Sequence, residues 1–188
     1  MSSSPEGFTA LITIDVQQGI VDRMGFGAEY LKRVAKALGH AHATKLPVVH
    51  VSLAFRPGSP EVSSRNKMLY PFSKTGLVTL GTPGSLTHAE LPRDETDVSV
   101  TRSRASAFKD SDLDAVLRAR GITHLVLVGN ATRMGVLATL FDAADRDYAV
   151  TVLSDCCADA NASAHEFLMK EVFPMQAAVV TLDQWSIT

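Results

Sequence analysis

The sequence predicts an α/β fold in which a mostly parallel sheet of about six strands is covered by helices on both faces. Short runs rich in Val, Ile and Leu recur along the chain, and they alternate with segments of helical periodicity. Most runs are apolar at nearly every position, which is typical of parallel strands buried on both sides and predicts a three-layer αβα, Rossmann-like architecture. With 188 residues, 46% of them hydrophobic, the chain suits one domain spanning residues 1–188.

The six predicted strands come from six apolar runs. The first, "ALITIDV", ends in a carboxylate, and the second, "VVHVSLAF", follows Pro47. The complete set is 10–16, 48–55, 97–101, 124–130, 149–155 and 177–182.

Four helices are predicted between these strands, at 28–44, from 110 or 111 to 120, from about 132 to 145, and at 163–173. In the first, Leu31, Val34 and Leu38 share one face. In the second, Asp110 or Ser111 is the expected N-cap and Gly121 the C-terminal stop. Residues 56–96 are rich in Pro and Gly and are predicted to form long surface loops.

Composition excludes several classes of protein. The formal net charge is −2, the Lys and Arg residues are scattered, and no RNP-like or zinc-finger spacing occurs, so no nucleic-acid partner is expected. No apolar run approaches the roughly 18 residues of a membrane span, and "MSSSPEGFTA" lacks the features of a signal peptide. We therefore expect a cytoplasmic protein without a membrane partner. Cys156 and Cys157 are adjacent, and no disulfide is expected between them.

Polar residues follow several strands, at the edge of the sheet where parallel α/β folds bind ligands. Asp15 ends the first strand, Arg102 the third, and the turn from Asn130 to Gly135 follows the fourth. The start of a helix at 131–135 offers backbone N–H groups for an anion or oxyanion. Because these three features lie at the same edge, they form the candidate site.

Each of these features also has an ordinary structural interpretation. Asp15 could cap a following helix, and Arg102 could form an exposed salt bridge instead of pairing with Asp15. The turn could be a plain strand-to-helix connection, with Gly135 merely tolerated in the first helical turn. Cys156 and Cys157 are most simply interpreted as small buried hydrophobes.

Other chemistries have little support. The chain has no GxGxxG opening its first strand–helix unit, no GxxxxGK[ST], no HExxH and no CxxC. His40 and His42, two positions apart, cannot act as ligands from one helix face. We expect neither a cofactor nor a catalytic metal.

The chain resembles the isochorismatase-like, or cysteine hydrolase, superfamily from about residue 8 to 182. The resemblance is carried by "LITIDVQQGI", "FRPGSPEVSSRN", "GTPGSLTHAEL", "VTRSRASAF", "GITHLVLVGNATRMGVLATLFDAADRDYAVTVLSDCCADA" and the "AHE" of 164–166, in this order and spacing. It implies a sheet of about six parallel strands, a small-molecule substrate and assembly as a homo-oligomer, a dimer or larger. Amidohydrolase members use an Asp, a Lys and a nucleophilic Cys, whereas isochorismatase members cleave a vinyl ether with the Asp as proton donor.

Carried over by position, the Asp falls on Asp15, the Lys on Arg102 and the Cys on Gly135. The resemblance also implies a cis peptide between Asn130 and Ala131, with the N–H groups of Ala131 and Gly135 as oxyanion donors. The D-x-H motif that binds metal in nicotinamidases is absent from "VHVSLAFRPGSP", which argues against nicotinamide as the substrate.

The two departures constrain the mechanism. Without a side chain at residue 135, no acyl-enzyme can form there. Arg102 stays protonated, so it favours an ionised Asp15 that acts as a base or electrostatic partner, and it could anchor a substrate carboxylate. Further candidate substrate contacts are Asn130, Ala131 and Thr132 in the turn, Arg56 in the loop, and Phe26 and Phe108 as an apolar wall. A solvated loop charge is the simpler role for Arg56, and core packing is the simpler role for Phe108.

Three functional hypotheses follow. The first is a non-covalent hydrolase or lyase of isochorismatase type acting on a small, anionic substrate, with Asp15 as acid or base. The second is a non-catalytic relative that keeps the pocket to bind a small acid or a protein partner. The third is an amidohydrolase that uses another nucleophile, for which Cys156 is the candidate.

Overall fold

The six predicted strands form one all-parallel sheet. The computed structural model describes residues 8–186, and its strands are β1 Phe8–Ile14, β2 Val48–Leu53, β3 Val98–Arg102, β4 Ile122–Asn130, β5 Ala149–Ala158 and β6 Ala178–Val180. They lie in the order β3-β2-β1-β4-β5-β6, and every neighbouring pair is parallel. The order reverses between β1 and β4, which is the switch point where open α/β sheets form their ligand crevice.

The helices agree with the prediction in the regular parts of the chain and differ in the short ones. They are α1 Gln18–Met24, α2 Gly27–Ala43, α3 Leu69–Ser73, α4 Leu113–Ala119, α5 Leu137–Ala144, α6 Ala162–Phe167 and α7 Leu182–Trp185. A π-helical turn at Thr132–Val136 precedes α5, another at Leu168–Val172 follows α6, and 3₁₀ turns lie at Pro83–Ser85 and Phe173–Met175. None of the helices in residues 8–186 has the length and apolarity needed to cross a bilayer.

The predicted cap of α4 needs a correction. The N-cap residue is Asp112, whose side chain makes no capping hydrogen bond, rather than Asp110 or Ser111. The Ser111 hydroxyl instead accepts a hydrogen bond from the Leu113 N–H at 3.2 Å. Ser111 therefore satisfies an N-terminal donor of the helix from one position outside the cap.

Both faces of the sheet are buried, because alternate residues of the central strands enter different cores. Ile12 of β1 and Leu127 of β4 belong to the core covered by α4 and α5, together with Leu140. Leu11 and Val126, one position earlier, belong to the core covered by α2, together with Leu38. The continuous apolar pattern of these strands thus reflects three layers, as the sequence predicts.

The long segment between β2 and β3 is packed rather than loose. Phe55, Val62, Leu69 and Val78 form a third buried cluster with residues of α1 and the end of β2. This cluster holds α1 and α3 over the carboxyl ends of the strands. The prediction of long loops at 56–96 therefore missed a short helix and a small core of its own.

Gln17 connects this segment to the sheet. Its fully buried amide Nε2 donates to the carbonyls of Leu53 and Ser85, both at 2.9 Å, and its Oε1 accepts from the Leu53 N–H at 2.8 Å. A buried backbone group that loses its partner costs about 1–3 kcal/mol. Gln17 therefore fixes the start of α1 relative to β2 and to the turn at Pro83–Ser85.

We expect Gln17→Leu to lower the free energy of unfolding by about 2–4 kcal/mol, because it leaves three buried backbone groups unpaired. The matched control is Gln18→Leu, which removes an exposed hydrogen bond to Asp22 and should change stability by less than about 0.5 kcal/mol. Urea denaturation of the two variants measures the difference, and equal midpoints would contradict the role assigned to Gln17.

Candidate active site

The candidate site lies where β1, β3 and β4 end. Asp15 directly follows β1 with a φ of 52°, a left-handed conformation that Asp tolerates better than most residues. Its N–H donates to the Val51 carbonyl at 2.9 Å, which fixes the turn against β2. Asp15, Arg102 and Gly135 line a single cavity, so the structure brings together the three residues carried over from the family pattern.

Asp15 and Arg102 form a buried ion pair. The guanidinium donates through Nη2 to Asp15 Oδ2 and through Nη1 to the carbonyl of Arg104. The Arg102 side chain is 2% exposed and that of Asp15 is 6% exposed, so the alternative of an exposed salt bridge is wrong. Two polar atoms of the pair, Asp15 Oδ1 and Arg102 Nε, are buried without a hydrogen-bond partner.

Burial raises the pKa of the Asp15 carboxyl, and the charge and hydrogen bond of Arg102, together with the backbone N–H of Leu53, oppose this shift without cancelling it. The sequence argument took account of the guanidinium but not of the depth at which the carboxyl lies. Asp15 consequently holds a proton more readily than an exposed aspartate does. This property suits exchange of a proton with a bound molecule.

The missing side chain at residue 135 is explained by the guanidinium. A Cβ built on Gly135 would lie 2.8 Å from Arg102 Nη2, 2.9 Å from Ile14 Cγ2 and 3.2 Å from Asp15 Oδ2. These separations are shorter than ordinary contacts, so the guanidinium fills the space that a side chain at 135 needs. Arg in place of Lys and Gly in place of Cys are therefore two parts of one steric arrangement.

The turn after β4 is held from several sides. The peptide bond between Asn130 and Ala131 is cis, as the resemblance implied. Asn130 is fully buried and donates through Nδ2 to the Tyr30 hydroxyl at 3.0 Å, and Thr132 Oγ1 lies 2.8 Å from His165 Nδ1. Of these turn residues, Ala131 lines the cavity, whereas Asn130 and Thr132 face protein partners.

Some backbone N–H groups at the helix start, residues 131–135, already have partners within the protein. The Arg133 N–H donates to Asp159 Oδ2 at 2.9 Å, and the Arg133 side chain lies 3.2 Å from Asp159 Oδ1. One of the N–H groups expected to be open to an anion is thus taken by the protein. The Met134 N–H donates to the Ala131 carbonyl at 3.0 Å, and Ala131, Met134 and Gly135 are the turn residues that line the cavity with Asp15.

The cavity is small and its wall is apolar. Its volume is about 120 Å³. Apart from Asp15, Arg102, Ala131 and Gly135, it is lined by Ile20 and Met24 of α1, by Met68, Leu69 and Phe72 around α3, and by Leu53, Ala105 and Met134. The sequence argument missed the α1 and α3 residues, although the spacing of Ile20 and Met24 and of Met68 and Phe72 is that of neighbours on one helical face.

Besides Asn130 and Thr132, three residues expected to contact substrate do not line this cavity. Phe26 packs edge-on against Tyr30, with ring centroids 5.5 Å apart. Phe108 stacks on Tyr148 at 5.7 Å in the core, the simpler role that its sequence allowed. The Arg56 side chain is 70% exposed and lies 3.9 Å from Glu61, and Arg56 borders a neighbouring depression that Arg102 also lines. The apolar wall is therefore built from aliphatic and Met side chains together with Phe72.

Neither cysteine borders the cavity. Cys156 is buried in the core under α2, where its Sγ lies 3.6 Å from the Arg33 carbonyl. Burial raises the pKa of Cys156 far above its usual value and that of Cys157 to about 12. Both thiols therefore stay protonated and unreactive, as expected for small buried hydrophobes.

Metal binding has no support in the described part of the chain. Within residues 8–186, no group of three or more His, Cys, Asp or Glu side chains is arranged to hold a metal ion. The polar chemistry at the cavity is that of Asp15, Arg102 and the backbone of the turn.

The chain is similar in sequence and fold to known proteins. The model of the isochorismatase domain matches residues 9–184. The chain is 29% identical, over 95% of its length and 94% of the relative, to an Arabidopsis thaliana protein named "Probable inactive nicotinamidase". It is 32% identical to ureidoacrylate amidohydrolase RutB of Methylobacterium radiotolerans, over 78% of this chain and 66% of that enzyme. A solved isochorismatase family protein from Burkholderia thailandensis superposes with a TM-score of 0.80 at 30% identity, covering 92% and 90% of the two chains.

We expect Gly135→Ala to lower the free energy of unfolding by about 1–3 kcal/mol, because the added methyl group displaces the guanidinium or Ile14. The loss should be smaller in an Arg102→Lys background, since the shorter side chain vacates part of that space. Thermal denaturation of the single and double variants measures this coupling.

The control for this prediction is Gly39→Ala in α2, where a Cβ meets nothing within 4 Å. This substitution should stabilise the protein by about 0.4–1 kcal/mol. If Gly135→Ala were tolerated as well as Gly39→Ala, the steric link between positions 102 and 135 would be refuted.

Proposed function

Since the chain belongs to the isochorismatase family, we propose that it is a hydrolase of that family which acts on a small substrate without a covalent cysteine intermediate. Asp15 is the acid–base group of the proposed reaction. The observation that carries the proposal is the position of this carboxyl, which borders a small, largely apolar cavity beside Gly135 and has a raised pKa. A covalent route has no nucleophile at residue 135, and both thiols are buried elsewhere.

In this proposal the Asp15 carboxyl is held at Oδ2 by Arg102, which orients it, and the same carboxyl exchanges a proton with the substrate. A positioned acid of this kind contributes about 10²–10⁴-fold to a rate. Backbone N–H groups of Ala131 and Gly135 are the proposed donors to charge that develops on the substrate.

Arg102 is a positioning residue in this account. The sequence argument gave it a substrate carboxylate as partner, but the structure engages its two Nη groups with Asp15 and with the Arg104 carbonyl. The guanidinium thus holds the acid–base group in place and fills the space beside Gly135. The names of the relatives are in keeping with hydrolysis of a small molecule, since RutB is named an amidohydrolase.

A second candidate is a non-catalytic family member that uses the cavity to bind a small acid or a protein partner. The arrangement that favours it is the same filling of the nucleophile position by Arg102, which removes the covalent chemistry of the amidohydrolases. The name of the Arabidopsis relative, which describes an inactive protein, is consistent with this alternative. Location in the cytoplasm and assembly as a homo-oligomer also belong to the proposal.

We expect Asp15→Asn to reduce turnover by about 10²–10⁴-fold, because Asn cannot transfer the proton. The assay uses isochorismate and a panel of small amides, ureas and carboxylic acids. Asp22→Asn, at an exposed residue of α1, is the matched control and should keep full activity. Thermal denaturation checks that Asp15→Asn remains folded, since removing one member of a buried ion pair costs about 3–5 kcal/mol.

Two results would count against the proposed hydrolase. Unchanged activity in folded Asp15→Asn would remove the assigned role of the carboxyl. Absence of turnover on the whole panel, with ligand-induced thermal stabilisation retained in Asp15→Asn, would favour the non-catalytic alternative. Full activity in Cys156→Ala is expected, and its loss would restore the cysteine hypothesis.

A further inference from the structure

The turn after β4 connects the cavity to α6. Thr132 is fully buried, and its Oγ1 lies 2.8 Å from Nδ1 of His165 in α6. On either side of Thr132 along the chain, Ala131 and Met134 line the cavity. A change at His165 therefore reaches the site through a single residue of the turn.

A second attachment holds the same turn. Asp159, whose side chain is fully buried, accepts the Arg133 N–H at Oδ2 and the Asn161 N–H at Oδ1, both at 2.9 Å. Asn161 caps α6 by accepting the Ala164 N–H at 2.9 Å. The loop and the start of α6 thus support the turn as one connected unit, in which His165 is the group that changes its charge between about pH 5 and 8.

The Thr132 hydroxyl is the donor in its contact with His165. A buried hydroxyl with one partner pairs its proton only by donating, and His165 Nδ1 is the partner that the described residues provide. A neutral imidazole protonated at Nε2 accepts at Nδ1, whereas the imidazolium donates from both nitrogens. Protonation of His165 therefore removes the acceptor and leaves the Thr132 proton unpaired beside the turn.

The imidazole is reached by solvent from outside the cavity. His165 is half-buried and lines a separate depression of about 570 Å³ between β5, α6 and β6. The charged groups around the ring come from each neighbouring element: Asp155 of β5, Asp159 of the loop, Arg133 of the turn, and Glu166 and Lys170 on the helical side.

These charges largely compensate one another. Glu166 pairs with Lys170 at 2.6 Å, and Asp159 pairs with Arg133 at 3.2 Å. Burial lowers the pKa of His165 below its usual 6.5, and the charges of Asp159 and Glu166 oppose this shift without cancelling it. His165 is consequently neutral at neutral pH and becomes charged as the solution is acidified.

We propose that His165 is a positioning residue of the site, whose neutral imidazole holds the turn at 131–135 in place through the Thr132 hydroxyl and loosens it on protonation. The inference deepens the proposed function and rests on it, because this turn supplies the proposed donors to the substrate. It gives the site a regulation by acid that acts from outside the cavity.

The test follows the turn and the histidine separately by NMR. The Met134 methyl group reports the turn, whereas Met169, in the core under α5, and Met175, which is 73% exposed, are controls. The His165 ring is followed through its Cε1 carbon. Protein labelled at methionine and histidine is titrated from about pH 8 to about pH 5.

We expect the Met134 signal to shift with the midpoint of the His165 ring, below 6.5, while Met169 and Met175 stay in place. In Thr132→Val, His165 should titrate at higher pH because its neutral form has lost a hydrogen bond, and Met134 should no longer follow it. Thr132→Ser keeps the hydroxyl, so it is the matched control and should behave as the unmodified protein.

A further variant separates His165 from Asp15, which also lies beside Met134 at the cavity. His165→Asn places an amide oxygen near the position of Nδ1 and carries no charge, so Met134 should keep its neutral-pH signal and lose the midpoint. An inflection at that midpoint that persists in His165→Asn would overturn the inference. So would a Met134 signal that does not follow His165 in the unmodified protein, or one that still follows it in Thr132→Val.

These signals do not depend on turnover, so they separate this inference from the proposed reaction. Coupled midpoints without turnover of any panel compound would leave the coupling standing while the hydrolase proposal failed. With a substrate from the panel, His165→Ala should lower kcat about 10- to 100-fold with little change in KM, and His165→Asn should restore most of it. Full kcat in His165→Ala would overturn the positioning role and keep the hydrolase.

Discussion

The site depends on the contact between Asp15 and Arg102. Two charges that are almost completely removed from water are stable only together, because each compensates for the hydration that the other has lost. Arg102 ends the edge strand β3, and its side chain reaches past the end of β2 to the carboxyl that follows β1. This reach places the guanidinium where a side chain at residue 135 would lie, so the pair also determines that residue 135 is a glycine.

The sheet and the segment between β2 and β3 hold this contact between them. The switch in strand order between β1 and β4 opens the crevice, and the left-handed backbone at Asp15 points the chain out of the sheet. The segment between β2 and β3 then closes the crevice through its own small core, with Gln17 joining it to β2. Burial of the carboxyl at this crevice raises the pKa of Asp15 above that of an exposed aspartate.

The sheet and the long helix α2 could be predicted from the sequence because their apolar patterns are long and regular. The helices α1 and α3 could not be predicted, since seven and five residues carry little periodic signal and tertiary contacts decide their conformation.

The resemblance identified Asp15, Arg102 and Gly135, but their steric connection depends on the direction of the Arg102 side chain, which no sequence pattern specifies. Phe26 and Phe108 have the chemistry of a cavity wall, yet nothing in their sequence context says that Phe26 packs against α2 or that Phe108 faces α5. The state of Asp15 was misjudged for a related reason, because neighbouring charges can be guessed from motifs whereas burial depth cannot.

The central claim is that burial outweighs the guanidinium in setting the proton affinity of Asp15. Carboxyl ¹³C NMR of the protein labelled at aspartate, with the Asp15 signal assigned from the Asp15→Asn spectrum, measures this pKa directly. The account predicts a value above the ordinary 3.8 in the unmodified protein and a further rise in Arg102→Met, where the opposing charge is gone. A titration at or below 3.8 in the unmodified protein would contradict it, because Asp15 would then be an ordinary ion-paired carboxylate with no special capacity to hold a proton.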